Sequence, residues 1–161
     1  MEICNNHLFE FHIREELLQL IFSPEFTQYN LVFDDYGFGL MSRAMLLSRI
    51  YPLERFVTQG AFKRRLGYGQ EERSSGDVQK FAKSGSKLAR TELYLWCYSV
   101  VAKGNKLTSE IGKQIEAKYQ EISEKLRPTV KGAKFAKLCN ARTVAVALRW
   151  LYRDLRRNCL K

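Results

Sequence analysis

The residues best placed to do chemistry lie in 71-EERSSGDVQKFAKSGSKLAR-90, where Ser74, Ser75 and Gly76 stand among the cations Arg73, Lys80, Lys83, Lys87 and Arg90. A serine hydroxyl held among cations can hydrogen-bond a phosphate, or attack its phosphorus once a base or a metal takes the proton. The same composition also describes a plain loop, since Ser and Gly are turn formers and Ser86 after Gly85 reads as a helix N-cap. A second stretch, 37-GFGLMSRAMLLSRI-50, sets Gly37 and Gly39 two apart at the start of a helix. Glycines there allow close backbone approach, and the free N–H groups of the new helix can face an anion, as in a helix-hairpin-helix element that grips a phosphate without reading bases. A tight turn between packed helices has the same appearance. Cys4, His7 and His12 lack a fourth ligand and a standard zinc spacing, so no metal is expected from them.

Charge narrows the partners. The 161-residue chain carries a formal charge of +10, which attracts polyanions and makes such binding salt-dependent. The excess is localised. Residues 1–40 hold one basic residue, Arg14, against seven acids, whereas residues 127–161 hold ten basic residues against the single acid Asp154. That density suits a face laid against a phosphate backbone, with a merely solvated cationic face as the alternative. Cys4, Cys97, Cys139 and Cys159 form no CxxC pair, so reduced thiols and a cytoplasmic location are expected. No apolar run reaches transmembrane length, and no membrane partner is expected.

The elements that must position these groups read as helices. Apolar residues at 13, 17, 18, 20 and 21 predict a short helix ending near Pro24, and an aromatic-rich connection follows over 26–39. Leu40, Ala44, Leu47 and Ile50 predict a second helix, and 53-LERFVTQGAFKRRL-66 a third, basic one. The segment 88–102 is apolar nearly all round and predicts a central helix. Ile111, Ile115, Ile122 and Leu126 form an amphipathic stripe, and a last helix spans roughly 132–157. That helix sets Val144, Leu148, Leu151 and Leu155 on one seam and Arg142, Arg149, Arg153 and Arg156 on its flank. No useful strand alternation is present, so the expected fold is all-α, a helical bundle containing a helix-hairpin-helix-like element at about 33–66. Trp96 and Trp150 fall on apolar faces and are expected in the core.

In order, the chain shows Gly37-x-Gly39 with 44-AMLLSRI-50, Phe56, 66-LGYG-69, Ser75-Gly76, Lys83-x-Gly85-Ser86 with Arg90, Leu93-Tyr94, Lys131-Gly132 and a terminal Ala/Leu helix. This set resembles the C-terminal transposase domain of the bridge-RNA-guided insertion-sequence transposases, over about residues 33–157. The chain departs from the pattern at Asp35-Tyr36, where a Pro is usual, at Ser86 for Asn and at Ala89 for Leu. The resemblance implies a DNA transposase activity in which Ser75, with Ser74 as alternative, joins covalently to DNA. It also implies that magnesium is held by carboxylates of a separate RuvC-like domain.

The chain then divides into an N-terminal helical segment, 1–32, and a helical transposase-like domain, 33–161. Residues 1–32 are too few for a RuvC-like domain, so this chain by itself is expected to hold no cofactor and to be inactive in recombination. Gly37, Gly39, Arg73, Lys80, Lys83, Lys87, Arg90, Arg142, Arg149, Arg153 and Arg156 are the candidate nucleic-acid contacts. DNA is the expected partner, with guide RNA, a RuvC-like domain or a second copy of the chain as further ones. The alternative is a non-catalytic nucleic-acid-binding helical module.

Overall fold

The apolar seam at 144, 148, 151 and 155 folds as the middle of a helix that the other elements pack around. The computed structural model describes residues 2–75, 78–104 and 107–160, with 2–6 and 70–84 described in backbone alone. The described helices are α1 (Glu2–Ile21), α2 (Thr27–Asp35), α3 (Leu40–Ile50), α4 (Gln59–Arg65), α5 (Lys87–Trp96), α6 (Glu110–Leu126) and α7 (Ala133–Cys159). A π-helical segment, Cys97–Ala102, prolongs α5. Helix α7 buries Val144, Leu148, Leu151 and Leu155 together with Cys139, Asn140, Thr143, Ala147 and Tyr152. Helices α2, α4, α5 and α6 pack on it, α3 lies on α4 and α5, and α1 lies on α3. The body is the helical bundle that the sequence predicts.

Five local expectations are corrected. Helix α1 begins at residue 2 rather than near 13. The connection over 26–39 contains α2, because Tyr29, Val32, Phe33 and Tyr36 recur at helical spacing and all reach the core. The single helix expected over 53–66 is broken into a 3₁₀ turn, Leu53–Arg55, and α4, with Phe56 extended between them. The apolar segment 88–102 is not buried all round, since Leu88 and Leu95 of α5 and Tyr98 of its π-helical extension are exposed, and α7 takes the centre. Finally, the loop before α5 is a hairpin of β1 (Gly69–Ser75) and β2 (Val78–Ser84), paired antiparallel from Gly69↔Ser84 to Ser75↔Val78. Its strand residues are mostly polar, so the backbone ladder forms without an apolar alternation to announce it.

The Gly-x-Gly turn, residues 36–39, is where the bundle is tied. Gly37 has φ +63°, and a Cβ there would stand 2.3 Å from Leu107 Cδ2, so only glycine suits the turn. Tyr36 and Phe38 are buried with their rings stacked 5.8 Å apart, and Trp96 lies 4.8 Å from Phe38. Trp96 Nε1 donates to the Tyr36 carbonyl at 3.0 Å, and the Tyr36 hydroxyl donates to Asp154 Oδ2 of α7 at 2.8 Å. Burial and the Asp154 carboxylate push the Tyr36 hydroxyl well above its ordinary range. The Ser109 hydroxyl, ahead of α6, donates to the Asp35 carbonyl. From α3, Arg43 donates from Nε to the Phe38 carbonyl of the turn at 2.7 Å, and to α2 from Nη1 to Asn30 Oδ1 at 3.2 Å and from Nη2 to Asp34 Oδ1 at 2.5 Å.

The Arg43 side chain is 10% exposed and Asp34 is 63% exposed, so the two partners should not matter equally. Arg43→Leu strands a buried carbonyl and a buried amide and should lower unfolding free energy by about 2–3 kcal/mol. Asp34→Asn breaks a solvent-screened pair and should cost under about 1 kcal/mol. Denaturant unfolding of both variants measures this, and equal losses would show that the ion pair, not the buried carbonyl, holds the turn.

Candidate nucleic-acid interface

Helix α4 starts where the Thr58 hydroxyl accepts the Ala61 N–H at 3.2 Å, and it is anchored by the fully buried Phe62. That anchoring fixes what its last turn presents, Lys63, Arg64 and Arg65. On one side Arg65 Nε donates to the Arg49 carbonyl at the end of α3 at 3.4 Å, and Arg55 donates to the same oxygen. The guanidiniums complement the negative end of the α3 dipole. Arg49 Nε is itself buried and makes no hydrogen bond among the described residues. On the other side Gln59 Nε2 donates to the Arg149 carbonyl at 3.3 Å, which brings α7 against α4. Burial first and the Arg149 charge second hold Lys63 below the ordinary lysine range.

The band continues along α7. Tyr152 donates to the Phe56 carbonyl at 2.8 Å, Arg156 Nη1 donates to the Tyr152 hydroxyl at 3.3 Å, and the Arg55 guanidinium lies 4.9 Å from the Phe56 ring centre. Arg55, Arg49, Arg65, Lys63, Arg149 and Arg156 therefore follow one another across four elements, the 3₁₀ turn, α3, α4 and α7. Of the four arginines predicted on α7, Arg149, Arg153 and Arg156 are exposed, as is Arg142. Arg149 and Arg156 join the band, Arg153 Nε pairs with Asp154 Oδ1 at 3.0 Å, and Arg142 lies about 10 Å before Arg149 along the helix. Cations crowded this way repel one another, and a polyanion relieves the repulsion while releasing its own counterions.

The hairpin is rooted on the same helix. Gly67 and Gly85 have φ +80° and +92°, and a Cβ on Gly85 would stand 1.8 Å from the Arg64 carbonyl oxygen. Gly67 N–H donates to that oxygen at 3.0 Å and Tyr68 N–H to the Lys63 carbonyl at 2.9 Å, so 66-LGYG-69 is the joint between α4 and β1. The register sets Arg73 opposite Lys80, Ser74 opposite Gln79 and Ser75 opposite Val78, with Lys83 opposite Gln70. By period-two alternation the positions of Ser75, Val78, Arg73 and Lys80 share one face of the ribbon and those of Ser74 and Lys83 the other. Ser75 ends β1, about 20 Å from the root at Gly69. The side chains of Arg73, Ser74, Ser75, Lys80 and Lys83, and all of Gly76, lie outside the described residues. Beyond β2, Ser86 caps α5 by accepting the Ala89 N–H at 3.1 Å, Lys87 is exposed in the first turn, and Arg90 Nη1 donates to the Gly67 carbonyl at 3.3 Å.

Gly37 and Gly39 are not brought into this surface. They stand before the first residue of α3 and Arg49 near its last, about 15 Å away along the axis. Gly37 is covered by Leu107 and Val100, while Gly39 is exposed at the helix start. Among the described residues no three His, Cys, Asp or Glu side chains gather to hold a metal; the Cys4 side chain lies outside the described residues. Cys97, Cys139 and Cys159 are free thiols, and burial pushes Cys97 up to about 12. No described helix is long and apolar enough to cross a membrane. Sequence reading did not single out Arg49, Arg55, Lys63, Arg64 and Arg65 as members of a cationic band; the triplet 63-KRR-65 was the available signal.

No protein-family model matches the chain, and a search of curated proteins finds no significant relative.

The root of the hairpin can be tested against a glycine with the same backbone but open space. Gly104 has φ +70° and nothing within 4 Å of where a Cβ would stand, whereas a Cβ on Gly85 meets the Arg64 carbonyl. Gly104→Ala should cost about 1 kcal/mol and leave limited proteolysis unchanged. Gly85→Ala should cost clearly more and open residues 69–84 to protease. Similar behaviour of the two variants would mean that the hairpin is not seated on α4.

Proposed function

We propose that the chain is a DNA-binding domain of recombinase type, in which the α4–α7 band holds the phosphate backbone and Ser75 serves strand cleavage and rejoining. The observation that supports it most is the junction of the two features: the helix at the centre of the cationic band is also the seat of the hairpin that carries Ser75. The role of the serine comes from the resemblance of its motif order to the bridge-RNA-guided transposases. The exposed arginines bind phosphates without reading bases, which leaves sequence choice to another component, such as a guide RNA.

The chemistry is a transesterification. Ser75 Oγ loses its proton and forms a bond to phosphorus, one P–O bond to a deoxyribose oxygen breaks, and that oxygen leaves with a proton. The ester energy stays in the protein–DNA linkage, so rejoining is the reverse step. The carboxylates that would hold magnesium belong to a RuvC-like domain supplied alongside this chain.

Mixing the chain with such a domain and target DNA tests the reading. Ser75→Ala should abolish covalent protein–DNA adducts and leave duplex affinity nearly unchanged, with Ser74→Ala forming adducts normally. Arg49→Gln and Arg149→Gln should each reduce the salt slope of duplex binding by about one. Adducts undiminished in Ser75→Ala would end the catalytic assignment. Salt-sensitive binding with no adducts in any combination would instead establish the non-catalytic nucleic-acid-binding module.

A further inference from the structure

A cleft of about 470 Å³ opens at the root of the hairpin, between α5 and the first turns of α7. Gly67 and Gly69 of the joint line it on one side. Arg90, Thr91 and Tyr94 enter from α5, Lys137 from α7, and Tyr68 from the joint itself. Residues 90, 91 and 94 share one face of α5 by helical spacing, so the three side chains converge. Arg90 is fixed in place by its bond to the Gly67 carbonyl at 3.3 Å. Burial first and the Cys97 thiol second push the Tyr68 hydroxyl up, with Arg90 opposing them. Among the described residues no Asp or Glu lines the cleft.

The occupant must therefore offer a planar ring, an anion and a small volume. Tyrosine faces stack on nucleobases whatever their sequence. Arg90 and Lys137 suit a phosphate, the first through its planar fork and the second as a point charge. Thr91 supplies a hydroxyl for a base edge. The volume lies within the roughly 300–1,000 Å³ of small-ligand clefts, enough for one nucleotide and far too small for a base pair in a stacked duplex. The cleft also begins where Gly69 meets Arg64, at the edge of the cationic band.

We propose that this cleft is a nucleotide-binding pocket that takes one unstacked nucleotide, with Tyr94 and Tyr68 against the base and Arg90 and Lys137 on its phosphate. The inference rests on the nucleic-acid reading above, because a strand held on the α4–α7 band delivers the nucleotide to the pocket. The shared chemistry of base and phosphate also admits a free nucleoside monophosphate.

Anisotropy titrations of the full chain with a single-stranded oligonucleotide and with a blunt duplex, and calorimetry with deoxyadenosine monophosphate, separate these cases. Tyr94→Leu should weaken single-strand binding by about 5- to 150-fold, the range of one lost base–aromatic stack. Tyr94→Phe should bind as the wild type does, and neither variant should change duplex affinity or melting temperature. Unchanged single-strand binding in a folded Tyr94→Leu overturns the pocket, while Arg49→Gln and Arg149→Gln still judge the band. A wild-type chain that binds neither nucleic acid at low salt sinks the proposed function. In that case saturable calorimetric binding of the monophosphate, lost in Tyr94→Leu, upholds the pocket as a free-nucleotide site, and no heat overturns it.

Discussion

The turn at residues 36–39 is the constraint on which the rest of the molecule depends. It has few residues, but its groups reach four other elements: the Tyr36 hydroxyl to Asp154 on α7, its carbonyl to Trp96 on α5, the Phe38 carbonyl to Arg43 on α3, and Gly37 to Leu107 ahead of α6. These buried polar groups of the turn are paired, and leaving one unpaired costs the full desolvation of that group. The Tyr36–Asp154 bond spans 118 residues of sequence, so it fixes how α7 rolls against α2 and hence which flank of α7 faces solvent. That flank carries the arginines. A turn that could have gripped an external phosphate instead positions, from the far end of α3, the surface that is suited to do so.

The electrostatics follow from that placement. At the C-terminal end of α3 one carbonyl collects Arg55 and Arg65, while α7 brings Arg149 beside Lys63. Cations of α6 are paired: Lys113 with Glu110, and Lys118 and Lys125 with Glu121, which these two hold down to about 2. The excess charge is thus concentrated by the fold as well as by the sequence. Arg49 Nε, in the last turn of α3, is buried and has no hydrogen-bond partner among the described residues. Gly67 and Gly85 then tie the ribbon bearing Ser75 to the end of α4 through close backbone contacts at Arg64.

What the sequence disclosed and what it concealed divide along a physical line. Helices α3, α6 and α7, the Ser86 cap and the exposure of Arg142, Arg149, Arg153 and Arg156 depend on spacing within one element, and spacing is visible in a single chain. Helix α2 was hidden because its stripe of Tyr29, Val32, Phe33 and Tyr36 is only about two turns long and is blurred by the exposed Leu31 and the buried Asn30. The hairpin was hidden because its strands, GQEERSS and VQKFAKS, have no apolar alternation, and their pairing depends on a glycine root that only the packed end of α4 defines. The band was hidden because its cations come from 49, 55, 63–65, 149 and 156, and nothing in the linear order says that these meet. For the same reason Gly37-x-Gly39 was legible as a turn but not as a tie, since Trp96 and Leu107 arrive from far along the chain.

Lysine reactivity in the presence of duplex DNA tests the central claim most directly, because it reads the location of the contact independently of its strength. Acetylation mapped by mass spectrometry should show Lys63 protected by DNA at low salt and released as salt is raised, with Lys113, Lys118 and Lys125 of α6 reacting equally with and without DNA. Protection of the α6 lysines with Lys63 left unchanged would contradict the account.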